Sequence, residues 1–156
     1  KFKLKNPDIM KIDVEGMEFE LLQSILKKYK PFIIEVELNL DKGIFKESFT
    51  KSHNLLKKNK YFLNTIYPAF KHKIKKNVTN DGFEIGSYNY PIWRSEIYQV
   101  DGYYHLKKRE YSDKELIMLI GYGFISEANE NFLVNQNKFS LDKRKKFQSL
   151  FNFLKC

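Results

Sequence analysis

The chain is poor in the residues that build disulfides and metal sites. Cys156 is the single cysteine among 156 residues, which excludes an internal disulfide and a cysteine-ligated metal cluster. The three histidines, His53, His72 and His105, lack the spacing of a metal-binding pair such as H-x-x-x-H. We therefore expect no metal site. One cysteine also fits a reducing compartment, so we expect a cytoplasmic location.

Long apolar runs and arginine are also scarce. No apolar stretch approaches the roughly 20 residues that cross a bilayer, so the sequence predicts no membrane span. The net charge is +9, yet arginine occurs only at Arg94, Arg109 and Arg144. Proteins that recognise the phosphates and bases of nucleic acids favour arginine, whose guanidinium group makes bidentate contacts. Lysine on solvated helix faces therefore explains the net charge better than a nucleic-acid partner does. The sequence does not indicate an oligomeric state.

Glycine-rich turns are missing as well. The seven glycines are scattered, and none forms a G-x-G-x-x-G string between a strand and a helix. There is no P-loop and no G-x-S-x-G string either. The sequence thus lacks the turn that usually approaches a nucleotide or a nucleotide-like cofactor.

Apolar residues are plentiful enough for a core, at 42% of the chain with 16% aromatics, and their pattern predicts an α/β fold. A strand at 9–14, a helix at 17–30 and a strand at 32–38 form a βαβ unit with two parallel strands. The remaining expected elements are a helix at 45–58, a strand at 61–67, hairpin strands around Asn80-Asp81-Gly82, a helix at 112–121 with a Ser112/Glu115 capping box, a last strand at Phe132–Val134 and a helix at 140–155.

Acidic residues gather where the first two strands end. Asp13, Glu15 and Gly16 lie at the carboxyl end of the first strand, and Glu35 and Glu37 lie in or at the end of the second. Ligands of open α/β sheets bind beyond the carboxyl ends of the strands, so these carboxylates could share one pocket. There they could orient a hydroxyl, accept its proton or bind a cation.

Each of these residues also has a purely structural interpretation. Glu15 and Glu18 could be first-turn acids that favour a helix N-terminus. Asp13 could cap that helix, and Glu35 could be a solvated edge residue.

The amino-acid sequence of this segment resembles that of the FkbM-type methyltransferases, which use S-adenosylmethionine. The string KIDVEGME, Lys11 to Glu18, matches the family's KIDVEG-x-E signature, and Lys30, Pro31 and Glu35 match the strand after its helix. The clear resemblance covers roughly the first 65 residues, counted on this sequence. Residues 131–134, NFLV, resemble the final strand of the family.

The resemblance implies a Rossmann-like methyltransferase fold, with a mostly parallel sheet flanked by helices, and methyl transfer to a hydroxyl of a sugar, glycan or small molecule. It implies Asp13 and Glu15 as catalytic candidates and Asp13 and Gly16 as cofactor contacts. The acceptor-binding candidates are Glu18, Glu35, Glu37, Trp93 and Arg94.

The first strands of such a fold are missing from this sequence, so we expect the C-terminal part of a methyltransferase that binds S-adenosylmethionine weakly or not at all. We assign 1–67 to the second half of that domain, 68–130 to an insertion or lid, and 131–156 to a last strand and helix of the same domain. The aromatics of 68–130 suit either a small satellite core or a substrate lid. The alternative function is a non-catalytic, basic α/β binding module.

Overall fold

The computed structural model describes residues 5–14, 17–39, 48–69, 83–85, 88–90 and 99–154. The chain divides into two compact units, Lys1–Leu106 and Lys107–Cys156. Strands dominate the first unit and helices the second.

Among the residues that the structure describes, the first unit contains six strands and two helices. In chain order they are β1 (Ile9–Ile12), α1 (Glu18–Leu26), β2 (Ile33–Asn39), α2 (Ser48–Lys58), β3 (Tyr61–Ala69), β4 (Phe83–Ile85), β5 (Tyr88–Tyr90) and β6 (Gln99–Leu106). The βαβ unit predicted from the sequence is confirmed, because β1 and β2 pair in parallel across α1.

Four strands form the main sheet in the order β1-β2-β6-β3. Strand β6 is antiparallel to both of its neighbours, β2 and β3, so β1, β2 and β3 all run in one direction. The α/β class is confirmed. A mostly parallel sheet was expected, and three of the four strands do share one direction. The β1–β2 pairing is parallel, but the other two pairings are antiparallel because β6 lies between β2 and β3.

Side chains alternate across the sheet, and one face forms the core of this unit with α1 and α2. Strand β2 gives that face Ile34, Val36 and Leu38, while β6 gives Val100 and Tyr104. The buried residues that join them from other elements are Ile12, Leu22, Leu26, Leu56 and Tyr61. Burying such side chains contributes about 1.5–3 kcal/mol each, so this face holds the sheet to its helices.

Gly102 lies on the core face of β6, beneath an aromatic ring. A Cβ atom at this position would lie 2.8 Å from Cε2 of Tyr104 and 3.5 Å from Cδ1 of Leu38. Glycine therefore leaves room for the Tyr104 ring. The hydroxyl of this buried ring lies 3.3 Å from Nδ1 of His53 on α2.

A separate two-stranded hairpin pairs β4 with β5. The sequence predicted short hairpin strands around Asn80-Asp81-Gly82. Residues 80–82 lie outside the described residues.

The second unit contains α3 (Asp113–Gly121), α4 (Ile125–Asn135) and α5 (Leu141–Phe153), with a short 3₁₀ turn before α5. The capping box of α3 is confirmed: the Ser112 hydroxyl accepts from the Glu115 N–H, and the Glu115 carboxylate accepts from the Ser112 N–H. The buried Phe132 ring of α4 packs 5.4–5.6 Å from the rings of Phe139, Phe147 and Phe151.

The expected last strand at Phe132–Val134 is wrong, as is the matching interpretation of Asn131. These residues belong to α4, where Phe132 is buried against other aromatic rings while Leu133 and Val134 are exposed. The strand that completes the main sheet is β6, which lies within the 68–130 segment that we interpreted as an insertion or lid.

Candidate functional site

Toward the carboxyl ends of β1 and β2, the face of the main sheet opposite to α1 and α2 carries polar side chains, whereas the buried Ile33 lies on the same face at the start of β2. Lys11 pairs in register with Glu35, and Glu35 pairs with Tyr103. One step nearer the carboxyl edge of β2, Glu37 pairs with Asp101, which pairs with Tyr67 of β3. These side chains form two rows across the sheet, about 7 Å apart given the rise of a strand. We call them the polar face.

A salt bridge lies at the centre of the first row. Nζ of Lys11 is 2.8 Å from Oε1 of Glu35, whose side chain is only 15% exposed. The hydrogen bond to Glu35 and the negative charge of that carboxylate raise the pKa of Lys11, and the charges of Asp101 and Asp13 add to this effect. The Lys11 ammonium group thus interacts electrostatically with the carboxyl groups of Glu35, Asp101 and Asp13.

The environment of Asp101 on the polar face disfavours its ionised form. Burial raises the pKa of Asp101, and the charges of Glu35 and Asp13 raise it further, while Lys11 acts in the opposite direction. A carboxylate with a raised pKa is a better proton acceptor at neutral pH than an ordinary aspartate.

Two tyrosines border these carboxylates. Burial raises the pKa of Tyr103, and the negative charges of Glu35 and Asp101 and a hydrogen bond to Glu35 add to the increase. The Tyr103 ring meets the Tyr67 ring edge-on, with 5.3 Å between centroids. Tyrosine faces beside carboxylates form the kind of surface that binds polyhydroxylated molecules.

Asp13 directly follows β1 and is exposed. The last paired residue of β1, Ile12, lies opposite Val36, so Asp13 reaches the level of Glu37 in the second row. The interpretation of Asp13 as the cap of α1 is wrong, because Met17 occupies the N-cap position and makes no side-chain hydrogen bond there.

The other residues proposed from the sequence have different placements. Glu18 is in the first turn of α1 and is 1% exposed. Glu35 and Glu37 are half-buried on the polar face. Glu15, Gly16, Trp93 and Arg94 lie outside the described residues.

Sequence analysis missed Asp101 and Tyr103 and gave Lys11 no role beyond the family signature. The segment QVDGYYHL alternates apolar and polar residues over part of its length, which is a strand signal. Its glycine and its tyrosine-rich surroundings obscured that signal. Only the pairing of β6 with β2 brings Asp101 beside Glu37.

Comparison with known proteins gives one match. Residues 1–63 match the family model described as the methyltransferase FkbM domain. The resemblance predicted from Lys11 to Glu35 is thereby confirmed, and the match indicates a methyltransferase. It covers β1, α1, β2, α2 and the start of β3, which is less than half of the chain. No curated protein and no solved structure matches.

Two further features bear on the kind of site. Within the described ranges, no helix combines the length and the apolar character needed to cross a membrane. The part of the chain that the structure describes also holds no group of three or more histidines, cysteines or acidic residues arranged for a metal ion.

Proposed function

We propose that the chain is the C-terminal part of an S-adenosylmethionine-dependent O-methyltransferase of Rossmann-like fold, acting in the cytoplasm on a hydroxyl of a sugar, glycan or small molecule. The observation that carries this proposal is the position of Asp13. It follows β1 within the segment that matches the family model, at the level of Glu37 and Asp101. Carboxyl ends of this kind are where open α/β sheets bind ligands.

The order of the strands supports a Rossmann-like fold. Strands β1, β2 and β3 run in one direction, and helices α1 and α2 pack on the same face of the sheet. This is the arrangement of successive βα units in a doubly wound sheet. The antiparallel strand β6 adds a polar row to the carboxyl edge without altering the direction of the other three.

The carboxylates of this edge fit a ligand such as S-adenosylmethionine, which combines positive charges with ribose hydroxyls. When bound, it supplies a methyl group from its sulfonium centre. Asp13 and Gly16 are the residues that we expect to contact it. The sequence has no glycine-rich turn between a strand and a helix, so these contacts are only part of a complete cofactor site.

The proposed chemistry for the protein is to orient the acceptor hydroxyl and to take its proton. A carboxylate oxygen of Asp13 accepts a hydrogen bond from that hydroxyl and then receives the proton, with Glu15 as the other candidate base. The half-buried Glu35 and Glu37, together with Glu18, Trp93 and Arg94, are the proposed acceptor contacts.

Binding of the methyl donor is the first test. S-adenosylmethionine would be titrated calorimetrically into this chain and into the longest protein that the same gene encodes. We expect binding to this chain in the millimolar range or none, which corresponds to about 4 kcal/mol or less. Micromolar binding to a longer protein would support the proposal, and no binding to either would contradict it.

Methyl transfer is the second test, with radiolabelled donor and a panel of mono- and oligosaccharides. In the longest protein from the gene, Asp13→Ala should lower kcat by about 10²–10⁴-fold if Asp13 is the base. Asp8→Ala, just before β1, is the matched control. Wild-type turnover in the Asp13 variant would exclude Asp13 from the reaction.

The alternative, a basic binding module, draws support from α5, where the side chains of Lys143, Lys145 and Lys146 are exposed. Such a module should bind an anionic polymer with affinity that falls steeply with salt. Binding of that kind, together with no affinity for S-adenosylmethionine, would favour the module over the enzyme.

A further inference from the structure

We propose that Lys11 is a positioning residue of this site: anchored by Glu35, its ammonium group attracts the carboxyl groups of Asp13 and Asp101 at the carboxyl edge of the sheet. This inference rests on the proposed methyltransferase function, since it concerns the carboxylates that would face the acceptor hydroxyl. Nothing in the family signature itself assigns this role to Lys11 or includes Asp101.

The anchor is the first part of the argument. Lys11 is 59% exposed and would be free to move if it were alone, but its Nζ lies 2.8 Å from the largely buried carboxylate of Glu35. Glu35 is in turn restrained by Tyr103, its partner across the β2–β6 pairing and a hydrogen-bond partner. A buried, doubly contacted carboxylate fixes the direction of a long side chain at lower entropic cost than a solvated one.

The second part is the charge balance of the polar face. The titratable groups around Lys11 are Asp13 on its own strand, Glu35 and Glu37 on β2, and Asp101 and Tyr103 on β6. Four are carboxyl groups and one is a phenol, and Lys11 supplies a positive charge that acts on Glu35, Asp101 and Asp13. Without it, adjacent carboxylates would repel one another and favour protonation.

The third part is the direction of each influence on Asp101. Burial and the neighbouring carboxylates raise the pKa of Asp101, and Lys11 is the group that lowers it. Lys11 thus acts in opposition to burial and to the charges of Glu35 and Asp13, and it favours the ionised form of Asp101, which accepts hydrogen bonds. Asp101 also lies one register step nearer the carboxyl edge than Glu35, on the side toward Asp13.

The test is a titration of Asp101 by carbon-13 NMR of its side-chain carboxyl in this chain. We compare the wild type with Lys11→Met, which removes the charge, and Lys11→Arg, which keeps it. Lys28→Met, an exposed lysine beyond α1, is the matched control. The pKa of Asp101 should increase in Lys11→Met and stay near the wild-type value in Lys11→Arg and Lys28→Met.

Salt and activity give two further measurements. Because Lys11 is more than half exposed, the difference between Lys11→Met and wild type should narrow as salt rises from about 0.05 to 0.5 M. If a longer form of the protein transfers methyl groups, kcat can be measured against pH. The rise of kcat on the acid side should then occur at higher pH in Lys11→Met than in the wild type. A purely structural role would change the melting temperature but not these titrations.

The outcomes separate the two proposals. An unchanged Asp101 pKa in a folded Lys11→Met variant overturns the role of Lys11, whatever the activity. A raised pKa with no methyl transfer and no donor binding by any form of the protein overturns the proposed function, and with it the assignment of Lys11 to a methyltransferase site.

Discussion

Asp101 shows at the scale of one residue how a partly buried carboxyl group can lower the free energy of unfolding. Burial first, and then its acidic neighbours, raise the pKa of this carboxyl group above its ordinary value of 3.8. The ionised form is therefore less favourable in the folded state than in the unfolded state. Its contribution to stability is best at low pH, where both states are protonated, and declines as the pH rises through the folded-state pKa.

Replacing Asp101 with asparagine should consequently stabilise the protein. We expect a higher thermal midpoint for Asp101→Asn at pH 7, measured by circular dichroism, and a gain that vanishes at about pH 3, below both pKa values. Stability gained while activity is lost is common at functional positions. A lower midpoint at pH 7 would mean that the attraction to Lys11 outweighs burial.

Gly102, the next residue, carries a prediction about packing. A methyl group there would meet the Tyr104 ring at 2.8 Å, and that ring is fully buried. Gly102→Ala should cost about 1–3 kcal/mol through overpacking, as measured by urea unfolding. Gly121→Ala is the control, since nothing lies within 4 Å of its added Cβ; equal losses in the two variants would contradict the packing argument.

At the scale of the element, the start of α3 is fixed by a few polar atoms. Besides its capping box, Glu115 bonds to the ammonium group of Lys108. Burial alone would raise the pKa of Glu115, but the hydrogen bonds from Lys108 and Ser112 lower it below its ordinary value of 4.5. The stabilisation is thus present above about pH 4.5 and is lost as the pH falls through the folded-state pKa.

Ser112→Ala should remove this cap at a cost of about 1 kcal/mol at pH 7, measured by chemical denaturation. The cost should shrink in acid, where Glu115 becomes protonated and its bonds weaken. Ser149→Ala, an exposed serine within α5, is the control and should change stability by less than about 0.5 kcal/mol.

Elements that depend on local patterns were predictable from the sequence, and those that depend on distant partners were not. The strand before Asp13 and the helix after Ser112 follow from apolar periodicity and cap chemistry within a few residues. The three apolar residues from Phe132 fit a strand or a helix equally well, and only packing against Phe147 and Phe151 decides for the helix. Strand β6 needs two partners far away in the sequence.

The same division applies to the candidate site. Asp13 and Glu35 were found because the strand ends and the family signature lie within one contiguous segment, 1–63. Asp101 was not found, because no local feature of its segment indicates that it will lie next to Glu37. When a site is assembled across several strands of a sheet, the sequence predicts only those site residues that lie within the family signature.

At the scale of the whole molecule, a chain of positive net charge places several carboxyl groups, among the residues that the structure describes, at one edge of its sheet. The chain carries +9 overall, while the polar face gathers four carboxylates around Lys11. Under the proposed function, these carboxyl groups would favour an uncharged acceptor, which can donate hydrogen bonds to them, over one that carries a phosphate or carboxylate group.

The central position of β6 also has a consequence during synthesis. Strands β2 and β3 emerge from the ribosome well before β6, yet neither pairs with the other; each pairs with β6. Until Leu106 has been made, both strands present unpaired edges that are prone to aggregate. Formation of the sheet therefore waits for its last strand, and contacts of such long sequence separation slow folding.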